Sequence, residues 1–445
     1  MSHTPLPVRV DRALPTPLGV QLSGQIRELV LSGVLTRGDR LPSSRALAAE
    51  LRVSRSVAEQ AYEQLLAEGW LETRHGAGTY VAALARVRPA TVHRTPAPAE
   101  PPLVRLDAGT PWIDPRHQPG WRRAWREVSA ARPPRGYDDT RGLAELRAAL
   151  ADHLARTRGL AVDPDEVVVT NGTTDGLRHV LSALPAGAVA MEDPGYRAAV
   201  ETVRASGRAV RDLPATEPIG DLSGAVAAYV TPAHQHPLGR VMPAAERVAL
   251  LSAAAAAGAV VLEDDYDSEF RYDVAPVPAL ATLDRSRVAY LGTASKSVAP
   301  SLRLGWLVPP PDLLEPINRR RAITHDGAPW PTQRAFLSLL RDGYVDKVVR
   351  TARRVYADRA PRVAAALSPY AELAGPLAGM YSTWLLPQPD ALRARAGARS
   401  AGFDVGLLAD YCRSSTLTGL VVGFGGCTDD QLDRALVALT RPLAA

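Results

Sequence analysis

Apolar positions recur at helical spacing over residues 17–35, where Leu22, Ile26, Leu29, Val30 and Val34 fall on one stripe and Gly33 and Gly38 break the run. A second, shorter helix follows Pro42-Ser43-Ser44, with Leu47, Ala48 and Leu51 inward. A third starts at Ser54 or Ser56, either of which suits an N-cap, and buries Val57, Ala61, Tyr62, Leu65 and Leu66 before Gly69 closes it. Trp70-Leu71-Glu72-Thr73 and Thr79-Tyr80-Val81-Ala82 then flank Arg74-His75-Gly76-Ala77-Gly78, the pattern of a hairpin with a glycine-rich tip.

Three helices and a hairpin within residues 1–82 make a winged helix-turn-helix by pattern. Residues 83–104 are rich in Ala, Pro and Arg and read as a linker, extended where proline clusters. From residue 140 the pattern alternates. Candidate strands are 167–170, 188–191, 226–231, 259–262, 288–291 and 304–308, and helical stretches at 143–156, 243–257 and 333–341 lie between or beside them. Short buried strands separated by helices predict an α/β domain over 105–445 with a mostly parallel sheet and ligands at the strands' C-terminal ends. From about 330 to 445 the pattern becomes that of a smaller α+β lobe. No internal repeat is present.

Composition narrows the classes. The chain has 445 residues, enough for two or three domains, and 46% hydrophobic content in the globular range. No apolar run reaches the ~20 residues of a membrane helix, and Met-Ser-His-Thr-Pro lacks a signal-peptide layout. Only Cys412 and Cys427 occur, which excludes a disulfide framework and a four-cysteine zinc site. These features predict a cytoplasmic chain with no membrane partner. The formal charge of +5 is uneven: residues 83–136 carry 10 Arg against 4 acids, whereas residues 1–82 carry 9 against 8. A basic middle segment fits a polyanion partner or a solvated linker. Of 52 basic residues only Lys296 and Lys347 are lysines. A genome bias explains the general trend, but a guanidinium cannot supply a deprotonatable primary amine, so a surviving lysine is a candidate for amine chemistry.

The candidate chemistry lies at successive strand exits. After 167–170 comes Asn171-Gly172-Thr173-Thr174-Asp175-Gly176, running into a helix. Glycine there lets backbone amides cradle an anion at a helix N-terminus, although any strand-to-helix turn also favours glycine. After 188–191, Glu192-Asp193-Pro194-Gly195-Tyr196 is a turn or an aromatic rim for a flat ring. After 259–262, Glu263-Asp264-Asp265-Tyr266-Asp267-Ser268-Glu269 is a solvated acidic loop, a divalent-metal site, or one carboxylate facing a protonated heterocyclic nitrogen. After 288–291, Gly292-Thr293-Ala294-Ser295-Lys296-Ser297 places the rare lysine among hydroxyls at a strand's mouth, with Arg303 further on. A desolvated lysine near a cation has a lowered pKa and forms imines. Lys347, in Asp346-Lys347-Val348-Val349-Arg350, reads as a surface helix residue. His234 and His236, at i and i+2 of an extended segment, point apart, which argues against a metal there. An imine-forming lysine, a ring-nitrogen carboxylate with a tyrosine near it, a stacking aromatic and a phosphate cradle are together what pyridoxal 5'-phosphate (PLP) requires of a protein.

Gly38-Asp39-Arg40-Leu41-Pro42-Ser43-Ser44-Arg45, Val53-Ser54-Arg55-Ser56, Glu68-Gly69-Trp70-Leu71 and the wing Gly76-x-Gly78-Thr79-Tyr80-Val81 resemble a GntR-type winged helix-turn-helix. Residues from roughly 105 to 445 resemble fold-type I aminotransferases. The most specific stretches are Gly136-Tyr137-Asp138-Asp139-Thr140-Arg141-Gly142-Leu143, Thr231-Pro232-x-His234-Gln235-x-Pro237-x-Gly239, Glu263 through Tyr272, and Gly292-Thr293-x-Ser295-Lys296. The two halves in this order resemble the MocR/GabR subfamily of transcriptional regulators. That resemblance implies a PLP cofactor joined to Lys296 as an internal aldimine, with Asp264 on the ring nitrogen and Tyr266 on the ring hydroxyl. His234 stands where aminotransferases place an asparagine on that hydroxyl. Tyr196 stacks on the ring; Gly172, Thr173, Thr293 and Arg303 hold the phosphate; Tyr137 reaches the phosphate of a partner in a domain-crossed homodimer. It also implies operator DNA contacts from Arg45, Ser54, Arg55, Ser56, His75 and Gly76.

One departure stands out. The strand that ends Gly419-Leu420-Val421-Val422-Gly423-Phe424 has no arginine for a ligand carboxylate just before it, and Arg413 is the nearest upstream. Three functions remain open on the sequence: a regulator that senses PLP or an amine or amino-acid effector at Lys296, with little or no turnover; a working aminotransferase with secondary DNA binding; or a DNA-binding module on a scaffold without cofactor, against which the retained Lys296, Asp264 and Arg303 argue.

Overall fold

The computed structural model describes residues 6–74, 78–83, 103–272 and 277–444, and the chain divides into two compact units, Met1–Ala99 and Glu100–Ala445.

In the first unit, helices α1 (Leu18–Leu31), α2 (Ser44–Leu51) and α3 (Arg55–Ala67) precede an antiparallel hairpin of β1 (Leu71–Arg74) and β2 (Gly78–Val81), paired in the register Leu71 opposite Val81. Leu22, Ile26, Leu47, Ala58, Ala61, Tyr62 and Leu65 fill its core. Helix α1 stops short of the expected residue 35: Gly33 adopts φ +80°, a left-handed conformation that ends a helix, and Val34 is exposed beyond it. Along α3 the inward position belongs to Ala58, and Val57 and Leu66 are half-buried at its edge. Ser54 is the N-cap of α3, but its hydroxyl meets that of Ser56 at 2.8 Å rather than a helix amide. The Tyr62 hydroxyl donates to the Pro42 carbonyl at 2.8 Å, which ties α3 to the turn that starts α2.

The second unit is built on a seven-stranded sheet in the order β4 (Val168–Thr170), β10 (Gly305–Val308), β9 (Val288–Thr293), β8 (Val260–Asp265), β7 (Ala225–Val230), β5 (Ala188–Asp193), β6 (Val210–Pro214). Only β10 runs antiparallel to its neighbours. The six predicted strands all lie in this sheet. The one that hydrophobic patterning missed, β6, is an edge strand with two charges and a proline in Val210-Arg211-Asp212-Leu213-Pro214, the composition that edges tolerate. Alternation along the strands sends Val168, Val189, Met191 and Leu262 to one face, against α6 (Thr173–Ala183), α7 (Arg197–Ala205) and α9 (Pro311–Thr324). The other face packs on α5 (Ala144–Arg158), α8 (Ala244–Ala257), α10 (Trp330–Arg341) and α11 (Tyr344–Leu367). Before α5, helix α4 (Gln118–Ala130) packs on α10.

A second sheet, in the order β11 (Glu372–Leu373), β12 (Tyr381–Leu385), β14 (Gly419–Gly423), β13 (Phe403–Leu407), β3 (Val104–Leu106), joins α12 (Gln388–Ser400) and α13 (Asp429–Thr440) in the smaller lobe. Strand β3, which is too short to show a pattern in sequence, pairs parallel with β13. The lobe thus takes a strand from the start of this unit, and residues 105–110 run from that strand into the site described next. Among the described residues, no helix is long and apolar enough to cross a membrane.

Candidate functional site

A cleft of about 460 Å³ opens at the C-terminal ends of the parallel strands, and Thr173, Tyr196, Asp264, Tyr266, Lys296 and Arg303 are on its wall. These residues come from the exits of four strands, β4, β5, β8 and β9, and from the turn that leads into β10.

At the exit of β4, Gly172 is the N-cap of α6 with φ +94°, which a side chain rarely adopts. A Cβ there would stand 3.2 Å from the Arg303 guanidinium, so glycine is what lets the arginine lie over the turn. Arg303 itself adopts φ +49°, and its guanidinium donates to the Asn171 carbonyl at 3.1 Å. Thr293, at the end of β9, donates its hydroxyl to Ser295 Oγ at 2.9 Å. The N-terminus of α6, a guanidinium and two threonine hydroxyls therefore converge on one end of the cleft, the arrangement that holds a phosphate.

The acidic run lies at the end of β8 and just beyond it and is not a solvated loop. Glu263 accepts the backbone N–H groups of Leu280 (2.7 Å) and Ala281 (3.0 Å). Asp265, on the same side of the strand, meets Arg158 at 2.5 Å and the Tyr290 hydroxyl at 2.6 Å. Asp267 pairs with His234 Nδ1 at 2.7 Å, and Glu269 with His153 at 2.8 Å. Strand alternation leaves Asp264 as the one strand carboxylate turned to the cleft. It is 3% exposed; Oδ2 accepts from the Tyr229 hydroxyl, and among the described residues buried Oδ1 has no partner. Burial pushes its pKa up to about 7, against the Tyr229 hydrogen bond. A buried carboxylate with one oxygen unmet fits a cationic N–H group arriving in the cleft.

Lys296 Nζ donates to the Gly109 carbonyl at 2.5 Å. Burial draws the amine's pKa down, opposed by Asp267, Asp107 and Asp264, and so raises the share of neutral, nucleophilic amine. Tyr196 stands at the rim, edge-on to His236 at 5.7 Å. The Tyr266 hydroxyl contacts the His234 carbonyl (2.9 Å) and the Tyr381 hydroxyl (2.7 Å).

Some expected positions differ. His234 is buried behind Tyr266 and bound to Asp267, and it is His236 that faces the cleft. Burial and then Lys296 push the pKa of His236 down to about 3, so the imidazole is neutral. His234 thus supports Tyr266 rather than lining the cleft. Tyr137 is 82% exposed and stacks on His325 at 4.1 Å, away from this cleft wall. Lys347 is exposed on α11, as its surroundings in sequence imply. Arg413 does not offer a free cation: it meets Asp212 at 2.6 Å and the carbonyls of Glu192 (2.8 Å) and Met191 (3.0 Å). Sequence reasoning also passed over Tyr229, His236, Tyr381 and Tyr411. His236 lay in a quoted motif, whereas no local pattern marks the three tyrosines.

In the first unit, Ser54, Arg55 and Ser56 are exposed together at the start of α3, and Arg45 is exposed on α2. Among the described residues Arg55 pairs only with its own-helix neighbour Glu59, at 2.7 Å. His75 and Gly76 lie outside the described residues.

A winged helix-turn-helix followed by an aminotransferase-type body with a lysine, a carboxylate and an anion cradle in one cleft defines a DNA-binding regulator built on an aminotransferase fold. Residues 18–81 match the family of bacterial regulatory proteins of gntR type, and residues 101–439 match aminotransferase class I and II. The chain is 35% identical, over 98% of both sequences, to the HTH-type pyridoxine biosynthesis transcriptional regulator PdxR of Corynebacterium glutamicum. It is 34% identical to the probable rhizopine catabolism regulatory protein MocR of Rhizobium meliloti, over 79% of this chain and 77% of that one. An archaeal alanine:glyoxylate aminotransferase shares the fold, with a TM-score of 0.69 and 23% identity over 77% of this chain and 91% of that one. The chain belongs to the MocR/GabR group of gntR-type transcriptional regulators.

Proposed function

We propose that the chain is a PLP-dependent regulator that grips operator DNA through α3 and the wing and reads, at Lys296, the presence of PLP or of an amine that reacts with it. The single observation that carries this reading is the unmet oxygen of Asp264, buried in the same cleft as a desolvated lysine and a phosphate cradle. Bound there, PLP supplies an aldehyde that condenses with primary amines and a ring that withdraws electrons. Asp264 holds the proton on the ring nitrogen, Tyr266 meets the ring hydroxyl and Tyr196 covers the ring. Gly172, Thr173, Thr293 and Arg303 anchor the phosphate, and Lys296 presents the amine. The printed name of the Corynebacterium relative, a regulator of pyridoxine biosynthesis, supports PLP itself as one signal.

The protein acts in the cytoplasm as a domain-crossed homodimer, in which exposed Tyr137 is available to a partner's phosphate site. The competing reading, a working aminotransferase, keeps the same lysine and carboxylate. It is disfavoured because Arg413, the cation nearest the usual carboxylate-binding position, is fully engaged elsewhere.

The test joins colour to DNA binding. With added PLP the wild type acquires visible absorption and its gel shift on DNA flanking the gene responds to PLP, whereas Lys296→Ala loses both and still binds DNA. A wild type that stays colourless with PLP refutes the proposal; steady exchange of amino and keto groups at an enzyme-like rate favours the aminotransferase.

A further inference from the structure

Helix α6 carries Asp175 and His179 one turn apart, so both side chains stand on one face. The helix packs on α9, which ends where His325 adopts the left-handed φ +52°. The residue after that turn, Asp326, joins the other two. Among the described residues this is the one group of three acidic, histidine or cysteine side chains whose ligand atoms all lie within 4.8 Å of one another. None of the three lines the cofactor cleft.

His179 is 4% exposed, yet among the described residues its Nε2 has no hydrogen-bond partner. That nitrogen stands 3.4 Å from Asp175 Oδ2 and 3.9 Å from Asp326 Oδ2, aimed between two carboxylates and hydrogen-bonded to neither. Such a group costs free energy unless something joins its members. Ligand atoms about 2.0–2.1 Å from a tetrahedral zinc ion stand about 3.4 Å apart. The first spacing already matches, and the second closes with a small turn of half-buried Asp326. Asp175 is braced from behind: Oδ2 accepts the Asn171 N–H at 2.8 Å and its side-chain amide at 3.3 Å, the kind of outer hydrogen bond that orients a ligating carboxylate. Two guanidiniums act on the group. Arg321 gives its hydrogen bonds to the Thr140 and Val169 carbonyls, at 2.6 and 2.7 Å, and only its charge reaches the carboxylates. Arg178 contacts Asp175 Oδ1 and lies 4.0 Å from Asp326 Oδ2, but 59% of its side chain is exposed, so it is free to turn out to solvent. Asp175 and Arg178 also line an open cavity of about 530 Å³, which gives an ion a way in.

We infer that Asp175, His179 and Asp326 bind one divalent transition-metal ion, zinc being the ion these donors suit, and that Arg178 is the cation that covers the site and yields to it. One imidazole nitrogen and two carboxylate oxygens make a three-ligand zinc set, whereas calcium and magnesium take shells of oxygen alone. The ion ties α6, whose N-terminus forms the anion cradle, to the end of α9. The site is separate from the cleft and does not depend on what the cleft holds.

The experiment is equilibrium dialysis of the untagged full-length protein, first stripped with chelator, against zinc chloride, with bound metal counted per chain by elemental analysis. The wild type binds one zinc ion per chain at micromolar free zinc. His179→Ala and Asp326→Ala each weaken that binding at least about tenfold, since even the outer partners of a metal ligand are worth about 10–100-fold. Arg178→Gln binds zinc at least as tightly as wild type, because the competing cation is gone. Zinc also raises the thermal midpoint of the wild type and not that of Asp326→Ala, and a cooperative melt of the metal-free variant shows that it is folded. A wild type that takes up no zinc at micromolar concentration overturns the inference. So does binding that persists in both His179→Ala and Asp326→Ala, which places the ion elsewhere, and so does loss of binding in folded Arg178→Gln. None of these outcomes bears on the reading of the cleft, which the colour test decides by itself.

Discussion

Replacing Asp264 by Asn separates the demands of the fold from those of the cofactor, because the two effects have opposite signs. In the cofactor-free protein the carboxyl is buried, and its pKa is pushed up from the ordinary 3.8 to about 7, chiefly by burial. The folded state therefore keeps a proton that the unfolded chain releases above pH ~4. Stability is full below that pH and falls as pH rises to about 7, by about 4 kcal/mol for a shift of about three pKa units. Asn carries no charge and escapes this loss, but its amide N–H groups take the place of the unpartnered Oδ1, at a cost of about 1–3 kcal/mol. The cofactor-free variant is thus more stable than wild type by about 1–3 kcal/mol at pH 8 and less stable by a similar amount at pH 4. Its affinity for PLP falls in the other direction, by about 10- to 150-fold, because a hydrogen bond to a charged partner worth about 1.5–3 kcal/mol is lost. Scanning calorimetry of the cofactor-free proteins across pH and absorbance titration with PLP measure the two arms. A variant destabilised at pH 8, or one that binds PLP as wild type does, would refute the assignment of Asp264.

Arg55→Ala leaves the melting point nearly unchanged, since its exposed pair with Glu59 is worth about 0.2–1 kcal/mol. It weakens operator binding about tenfold in a gel shift, the loss of one arginine contact to DNA, with the PLP absorption intact; joint loss of both contradicts the separation of the two units' roles. Gly292→Ala pushes a methyl group into the indole of Trp306, its cross-strand neighbour on β10, which is buried and stacked on Phe336. A cost of about 1–3 kcal/mol follows from overpacking at a site that cannot yield, and an unchanged thermal midpoint would show that the indole moves freely.

How much was legible in the sequence depends on how local each feature is. The strands of the large sheet were readable because both faces are buried and their apolar runs are nearly continuous, and Lys296 was conspicuous as one of two lysines. Period-two alternation shows that Asp264 and Asp265 face opposite ways but not which one faces the ligand, and only the resemblance chose between them. The partners of these groups were illegible. Tyr229 is 35 positions from Asp264, Tyr381 is 115 from Tyr266, and Asp212 is 201 from Arg413. Such contacts are made by topology, and no spacing along the chain encodes them. The same limit hid the contact of His234 with Asp267 behind Tyr266 and overlooked His236.

The scarcity of lysine has a practical consequence. The sequence offers two side-chain amines, one open to solvent on α11 and the other at the floor of the cleft. A mild acylating reagent followed by peptide mass spectrometry therefore carries its own internal standard: modification of Lys347 reports reagent strength, and the ratio of Lys296 to Lys347 reports whether the floor is covered. Occupancy can be followed this way in unfractionated extract, without colour and without knowing what the occupant is.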